Sequence, residues 1–252
     1  MSRRTQEKRN KRSLEEGDGR FGERPRAVTA PRTQAQRRHE SRSAIIEAAL
    51  KLIGGGEAFE ALSLRKIATT AGLAPSAFYR YFESLDALGI AIIEESFRRL
   101  KKLLASMDPP APGEANALLS GLVDVVGDYT RQEYSYIAFV ARERIAGSAT
   151  MRRVIRTEIR VMINQMATVL ARTEPVNHWP IKDTKMLATL LVTVLIVSLD
   201  SSLDVLSEPA RRDDPDALVE VNANTKMQLA YLLDARSAWR PGRREAARKG
   251  ES

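Results

Sequence analysis

The chain contains no cysteine and only two histidines, His39 and His178, among its 252 residues. Without thiols it can form neither a disulfide scaffold nor a zinc finger, and it has no thiol nucleophile. Two histidines so far apart in sequence exclude most histidine-rich metal sites and leave little for a Ser-His-Asp triad. Neither has a Glu three residues before it, as a di-iron helical bundle requires. An enzyme is therefore disfavoured, and no cofactor or metal is expected.

Long hydrophobic runs are also scarce. The longest covers residues 186–199 and is interrupted by Thr189, Thr193 and Ser198. A membrane-spanning helix needs about 18 or more apolar residues in succession. The first ten residues, MSRRTQEKRN, lack the apolar stretch of a secretory signal. We therefore expect a soluble, cytoplasmic protein with no membrane insertion.

The net charge of +8 is concentrated at the two ends of the chain. Residues 1–42 carry 13 basic and 6 acidic side chains, and residues 236–252 carry 6 and 2, so the segment between them is mildly acidic. Residues 1–42 have few large apolar side chains, and a segment that cannot bury apolar surface is expected to be disordered. This arm is either a solubilising tail or a contact to nucleic-acid phosphate. Residues 236–252 form a second basic tail, also expected to be disordered.

Between the tails, apolar residues recur with the period of a helix. Ile46, Ala49, Leu50 and Ile53 form one stripe that begins after Ser43, and Gly54 follows it as a helix stop. Comparable stripes continue to about residue 235, and none of the segments alternates with the period of a strand. The sequence predicts an all-α fold, with one domain over residues 43–89 and a second over residues 90–235.

The segment from Leu62 to Tyr81 has the pattern of a helix-turn-helix. Ser63 is a good N-cap for a first short helix, Gly72 lies in a turn, and Pro75 suits the first position of a second short helix that extends to Phe82. Ser84 then caps a long helix. The segment has three basic residues and no acidic one. Guanidinium and hydroxyl groups are the groups that contact DNA phosphates, so the pattern indicates binding to duplex DNA.

These positions resemble the TetR family of repressors. The resemblance extends over residues 43–89 and rests on Leu64-x-x-Ile67-Ala68-x-x-Ala71-Gly72-Leu73 and on Phe78-Tyr79-x-Tyr81-Phe82-x-Ser84. It implies a homodimer that binds palindromic double-stranded DNA and responds to a small-molecule effector. The residues that it assigns to DNA, within the helix-turn-helix Leu62 to Tyr81, are Ser63, Arg65, Lys66, Pro75, Ser76, Ala77, Tyr79, Arg80 and Tyr81. Arg80 is the candidate for reading a base, because a guanidinium matches the O6 and N7 acceptors of guanine. Phe78 and Phe82 are expected in the core.

One position departs from the family pattern. The residue after Ser84 is usually a lysine that contacts phosphate, but here it is Leu85, and the basic arm is a candidate replacement. Leu85-Asp86 and the segment Ala141-Arg142-Glu143-Arg144 resemble the FabR- and DesT-like repressors of unsaturated fatty-acid synthesis. That branch implies a long-chain acyl-CoA effector, with Arg142, Glu143 and Arg144 as ligand-binding residues.

Other interpretations remain at this stage. The arginines around residues 142–160 also fit a solvated charged face, and a helical carrier or adaptor that does not bind DNA is a second class. Within the family, the alternative is a regulator of efflux or detoxification genes that responds to a drug-like molecule. Residues 186–206 are apolar on nearly every side, which predicts burial on every side. They belong either to a four-helix bundle shared with a second subunit or to a central core helix.

Overall fold

The computed structural model describes residues 33–106, 115–174 and 176–239. Within these ranges every regular element is a helix, so the all-α prediction is confirmed. The chain divides at Glu40, and the described residues before it contain only the first turns of one helix. All packing described below lies within residues 40–239. Most of the predicted basic arm and tail lies outside the described residues.

The first helix, α1 (Gln34–Gly54), begins well before Ser43. Gln36 N donates a hydrogen bond to Thr33 Oγ1 over 3.2 Å, and Thr33 N donates to Gln36 Oε1 over 2.8 Å. This reciprocal pair is a capping box, which satisfies two N–H groups at a helix start. Residues 34–42 are therefore helical, which corrects the prediction that disorder extends to residue 42. Their polar side chains carry no apolar stripe, so periodicity alone could not detect this part of the helix.

The remaining elements follow in the predicted order. After a 3₁₀ turn (Phe59–Ala61) come α2 (Leu64–Thr70), the 3₁₀ helix Pro75–Arg80, which we call the recognition segment, and α3 (Leu85–Ala105). The C-terminal bundle contains α4 (Ala115–Gln132), α5 (Tyr134–Ala146), α6 (Ala149–Leu170), α7 (Ile181–Leu206), the short α8 (Pro209–Arg212) and α9 (Val219–Ala238). Both predicted caps are confirmed: Ser63 Oγ accepts from Lys66 N over 3.2 Å, and Ser84 Oγ accepts from Ala87 N over 3.1 Å.

One continuous core joins the N-terminal helices to the C-terminal bundle through α3. The fully buried side chains of this core include Phe59, Ile67, Phe78, Leu88 and Ile92 on the N-terminal side, and Phe139 and Ile155 from α5 and α6. The rings of Phe59 and Phe139 meet edge to face, with centroids 5.0 Å apart. Edge-to-face packing is a favoured geometry for aromatic pairs. The two parts therefore share packing as well as a helix.

Gly89 marks the closest approach at this junction. A Cβ atom at this position of α3 would lie 2.6 Å from Met151 Sδ and 2.9 Å from Phe59 Cε1. Both distances are far below an ordinary carbon contact of about 3.5–4.0 Å. Only a residue without a side chain therefore allows α3 to pack this tightly against the 3₁₀ turn and α6.

The apolar helix α7 is only partly buried. By length and composition it would be able to cross a membrane, but Leu187, Leu191 and Leu195 are buried in the core that it shares with α4, α6 and α9. A second face of α7 carries Met186, Leu190 and Val197, which are exposed. The helix is therefore not a central core helix of the described chain, and the four-helix bundle shared with a second subunit stays a prediction.

Candidate nucleic-acid interface and internal cavity

α2 and the recognition segment are held together by a tight turn. Gly72 adopts a positive φ of 70°, a conformation that costs glycine little, and Leu73 N donates a hydrogen bond to Ala68 O over 2.9 Å. Pro75 begins the recognition segment, as predicted, but the segment is a 3₁₀ helix that ends at Arg80 rather than Phe82. Phe78 and Phe82 are buried, with ring centroids 5.8 Å apart, so their predicted core role is confirmed.

Leu62, where the predicted helix-turn-helix begins, is a core residue and does not belong to α2. Its backbone is extended, with φ −67° and ψ 127°, and its N–H donates to Phe59 O over 3.1 Å to close the preceding 3₁₀ turn. Its side chain is buried in the core that also contains Ile67 and Phe78. Leu62 therefore anchors the start of the motif in the core and is not among the residues predicted to contact DNA. The exposed residues predicted to contact DNA begin at the cap residue Ser63.

The predicted DNA-binding residues lie on these two elements and mostly face solvent. Ala77 and Tyr81 are half-buried, and the others are exposed: Ser63, Arg65, Lys66, Pro75, Ser76, Tyr79 and Arg80. Tyr79 exposes 65% of its surface although it follows the fully buried Phe78. Because burial of Phe78 fixes the backbone beside it, the Tyr79 hydroxyl is held in solvent, where a phosphate oxygen can reach it.

The local contacts distinguish the polar residues of this surface. Lys66 Nζ lies 2.6 Å from Glu57 Oε2, so its charge is partly compensated. Among the described residues, no ion pair is recorded for Arg65 or Arg80. The Ser63 hydroxyl accepts the capping hydrogen bond but still has its own O–H to donate. Arg65 and Arg80 therefore present the stronger positive charge to a polyanion.

Arg42 of α1 was not among the predicted site residues. Its guanidinium carbon lies 5.2 Å from the centroid of the Phe82 ring, within the range of a cation–π interaction. Arg42 therefore places a positive charge beside the end of the recognition segment. The nearby residue Leu85 occupies the position at which the TetR family usually has a lysine. Arg42 falls in the basic arm that was predicted to be disordered. Its position one helical turn before Ile45 and Ile46 was the available signal.

A cavity of about 500 Å³ lies within the C-terminal bundle and is lined by residues of α3, α4, α5, α6 and α7. This volume lies within the range of roughly 300–1,000 Å³ that small-molecule sites occupy. Most of the wall is apolar, and its polar residues are few: Ser96, Arg144, Gln165, Arg172, Thr173 and Asp200. A concave, largely apolar space with a few polar groups is the usual form of a ligand site. Periodicity gave no indication of it.

The three residues predicted to bind the ligand have three different environments. Arg144 lines the cavity, and its Nη2 donates to Asp200 Oδ2 of α7 over 2.7 Å. Arg142 lies on another side of α5, with its Nη2 3.6 Å from Glu60 Oε2 of the 3₁₀ turn. Glu143 is fully buried and does not line the cavity. Only Arg144 is therefore in direct reach of a molecule in this cavity.

Among the described residues, the buried carboxylate of Glu143 lacks the hydrogen bonds that would compensate for its loss of water. Neither carboxylate oxygen accepts a hydrogen bond from a described residue, and Arg142 Nε, at 3.9 Å from Oε1, is too far to donate one. Burial raises the pKa of Glu143, and the nearby carboxylate of Glu60 raises it further. Gly147 leaves room for the side chain, since a Cβ there would lie 2.7 Å from Glu143 Oε2.

A polar network centred on Arg99 connects α1, α3 and α5. Arg99 Nη1 donates to Glu133 Oε2 over 2.7 Å, and Arg99 Nη2 donates to the Tyr136 hydroxyl over 3.2 Å. The Tyr136 hydroxyl in turn donates to Glu47 Oε1 of α1 over 2.9 Å. Arg99 also contacts Glu95, whose pKa is lowered to about 2, first by the hydrogen bond from Arg98. Hydrogen bonds therefore link the first helix to the helix that carries Arg144.

Known proteins resemble this chain in the sequence of its helix-turn-helix region and in its fold. Residues 45–92 match the family of bacterial regulatory proteins described as the tetR family. A tetR-family transcriptional regulator from Streptomyces coelicolor is similar over 80% of this chain and 84% of its own, with 20% identity and a TM-score of 0.59. The fatty acid degradation regulator FadR from Bacillus halodurans is similar over 77% of this chain and 94% of its own, with 17% identity and a TM-score of 0.58. Salmonella enterica GusR is similar over 77% of this chain and 95% of its own, with 18% identity and a TM-score of 0.59. The helix-turn-helix region therefore matches the tetR family over residues 45–92, and the fold of the chain is similar to that of these regulators.

Proposed function

We propose that the protein is a dimeric repressor of fatty-acid or lipid genes whose binding to a palindromic operator is controlled by a long-chain acyl-CoA. The observation that carries this proposal is the combination of a TetR-type helix-turn-helix with a largely apolar cavity, joined by α3. In this proposal residues 43–89 bind DNA, and residues 90–235 bind the effector and form the dimer. A protein that binds an operator acts in the cytoplasm.

The exposed apolar residues of α7 and α9 support a dimer. Met186, Leu190 and Val197 of α7 and Met227 and Tyr231 of α9 are exposed on two helices that pack against each other. Exposed apolar patches of this kind mark interaction surfaces. A second subunit packed here would form a four-helix bundle and bury the free face of α7. Two recognition segments would then contact half-sites about 34–36 Å apart, or a multiple of that spacing.

A charge substitution within this surface tests the dimer. Leu190→Glu would bury a carboxylate at the subunit contact, which is strongly unfavourable, so we expect monomers in light scattering at micromolar concentration. Val161→Glu is the matched control, because Val161 is also an exposed apolar residue but lies on α6. A wild-type protein that is monomeric, or an unchanged mass for Leu190→Glu, would contradict the dimer.

The cavity supports a lipid effector, since its wall can surround an acyl chain with apolar side chains. The Bacillus halodurans protein of similar fold is described as a fatty acid degradation regulator. The alternative is a regulator of efflux or detoxification genes. Asp200 favours this second function, because a carboxylate in a cavity wall can pair with a cationic drug-like molecule.

A gel shift on DNA from upstream of the protein's own gene tests both functions. We expect palmitoyl-CoA or oleoyl-CoA to change the DNA affinity and tetraphenylphosphonium to leave it unchanged. The coupling between effector and DNA sites is typically about 1–3 kcal/mol, which is roughly a 5- to 150-fold change. If only the cation changes the affinity, the efflux regulator replaces the lipid regulator. Arg80→Ala provides the control for specific binding.

A further inference from the structure

The charged residues of the cavity wall are few and unbalanced. Among the described lining residues they are the two guanidiniums of Arg144 and Arg172 and the single carboxylate of Asp200. The wall is therefore net positive. Arg172 is exposed, whereas Arg144 and Asp200 are half-buried, so the excess positive charge lies at the solvent-facing edge of the wall and favours a ligand that brings a negative charge there.

The pair formed by Arg144 and Asp200 has capacity for another anion. An arginine carries five N–H donors, and the recorded contact to Asp200 uses Nη2. The neighbouring lining residues include Val140, Ala141 and Leu199, so the pair lies at the edge of an apolar volume. Charge-assisted hydrogen bonds are stronger in such a medium than in water.

We propose that the cavity takes a ligand with a long apolar body and one anionic terminus, and that this terminus binds Arg144 in competition with Asp200. The proposal rests on the proposed function and names the ligand chemistry of the same site. A carboxylate of a free fatty acid and a phosphate of an acyl-CoA both supply the terminus, and the probes below distinguish these two sources.

The helix that carries Arg144 also contacts the DNA-binding part. On α5, Phe139 packs against Phe59, and Arg142 lies beside Glu60. Arg144 meanwhile ties α5 to α7 through Asp200. When a ligand replaces Asp200, this ion pair between α5 and α7 is lost, while the packing of the two helices and the contacts of α5 with the 3₁₀ turn remain. The ligand can shift DNA binding only as far as its affinity differs between the two arrangements.

Calorimetric titration of the full chain tests the proposal with three probes that share one apolar chain: oleate, oleoyl-CoA and oleylamine. For Arg144→Gln we expect at least about 10-fold weaker binding of both anionic probes, because a charge-assisted hydrogen bond is lost. For Asp200→Asn we expect binding that is equal or tighter, because the competing carboxylate is gone. Arg156→Gln is the matched control, since Arg156 is exposed on α6 and does not line the cavity. If oleate alone depends on Arg144, the terminus is a fatty-acid carboxylate; if oleoyl-CoA alone does, it is a phosphate.

Opposite effects of the two variants separate ligand recognition from a structural ion pair. If Arg144→Gln and Asp200→Asn weaken binding equally, the pair is structural and the proposal is wrong. If oleylamine binds best and Asp200→Asn abolishes its binding, the site recognises cations. If wild type and all variants bind oleate equally, the charge assignment alone fails, whereas binding of no probe overturns the lipid function as well. Arg144→Lys, which keeps the charge, provides a second variant if circular dichroism shows that Arg144→Gln unfolds.

Discussion

The DNA-binding part and the C-terminal bundle differ in how completely they are packed. The DNA-binding part fully buries the side chains of Ile67, Phe78 and Leu88, and the residues predicted to contact DNA lie outside that core. The bundle contains a partly open cavity of about 500 Å³ and buries the carboxylate of Glu143 without a hydrogen-bond partner among the described residues. Empty volume and uncompensated polar groups both cost stability. The part that is proposed to read DNA therefore has a fixed shape, whereas the part that is proposed to sense an effector keeps room for one.

Two matched truncations measure this difference in packing, and they have the largest expected effect. Leu88→Ala should lower the free energy of unfolding by about 4 kcal/mol, because Leu88 is fully buried and its removal leaves a new cavity. Leu122→Ala should cost about 2 kcal/mol, because Leu122 already lines the existing cavity. Urea denaturation gives both values. Equal costs would show that the bundle is packed as tightly as the DNA-binding part.

Substitutions in the recognition segment test the other part of the molecule, the surface that is predicted to contact DNA. Arg80→Ala should weaken DNA binding by about 1–3 kcal/mol, because the contacts to one base pair are lost. The protein should also become less selective at that base pair. Tyr79→Phe should weaken binding evenly across sequences, because a phosphate contact carries no sequence information. Competition binding with single base-pair variants of the operator distinguishes the two. If Arg80→Ala lowers the affinity for all sequences equally, Arg80 contacts phosphate instead of a base.

The smallest expected effect concerns Glu143. Burial raises its pKa, so the folded state favours the protonated form. The stability from this group is therefore fully present below about pH 4.5 and is lost as the pH rises through the raised pKa. Glu143→Gln should raise the free energy of unfolding by about 1 kcal/mol at neutral pH, and the gain should disappear below pH 4.5.

Denaturation of both proteins at several pH values checks this expectation. Glu94→Gln is the control, because Glu94 is an exposed glutamate of α3. A gain in stability that is independent of pH would mean that the substitution changes packing and that burial of the ionised carboxylate costs no stability.

Local signals in the sequence were sufficient for most of the DNA-binding part. Ser63 and Ser84 determine helix starts by hydrogen bonds that span only three residues, and Pro75 acts on its own backbone. The start of α1 at Gln34 was missed, because the prediction relied on apolar periodicity and the Thr33–Gln36 capping box is polar.

The contacts of the cavity could not be predicted in the same way. Arg144 and Asp200 are 56 residues apart in sequence, and they meet only because α5 and α7 pack together. The environments of Arg142, Glu143 and Arg144 differ because neighbouring positions on a helix point in different directions, and the surrounding helices are needed to say what each meets. The resemblance to a repressor branch indicated the segment that contains Arg142, Glu143 and Arg144. Only the packing of the surrounding helices shows that these three residues have different environments.

The absence of a side chain at Gly89 has a consequence for building hybrid regulators. A designer who joins this DNA-reading part to another sensor would naturally cut the chain near residue 90, within α3. At that position Phe59 and Met151 approach from opposite parts of the protein, and neither leaves space for even one methyl group. A foreign sensor must therefore bring a matching surface for Phe59, or the transplant must include α5 and the start of α6 with it.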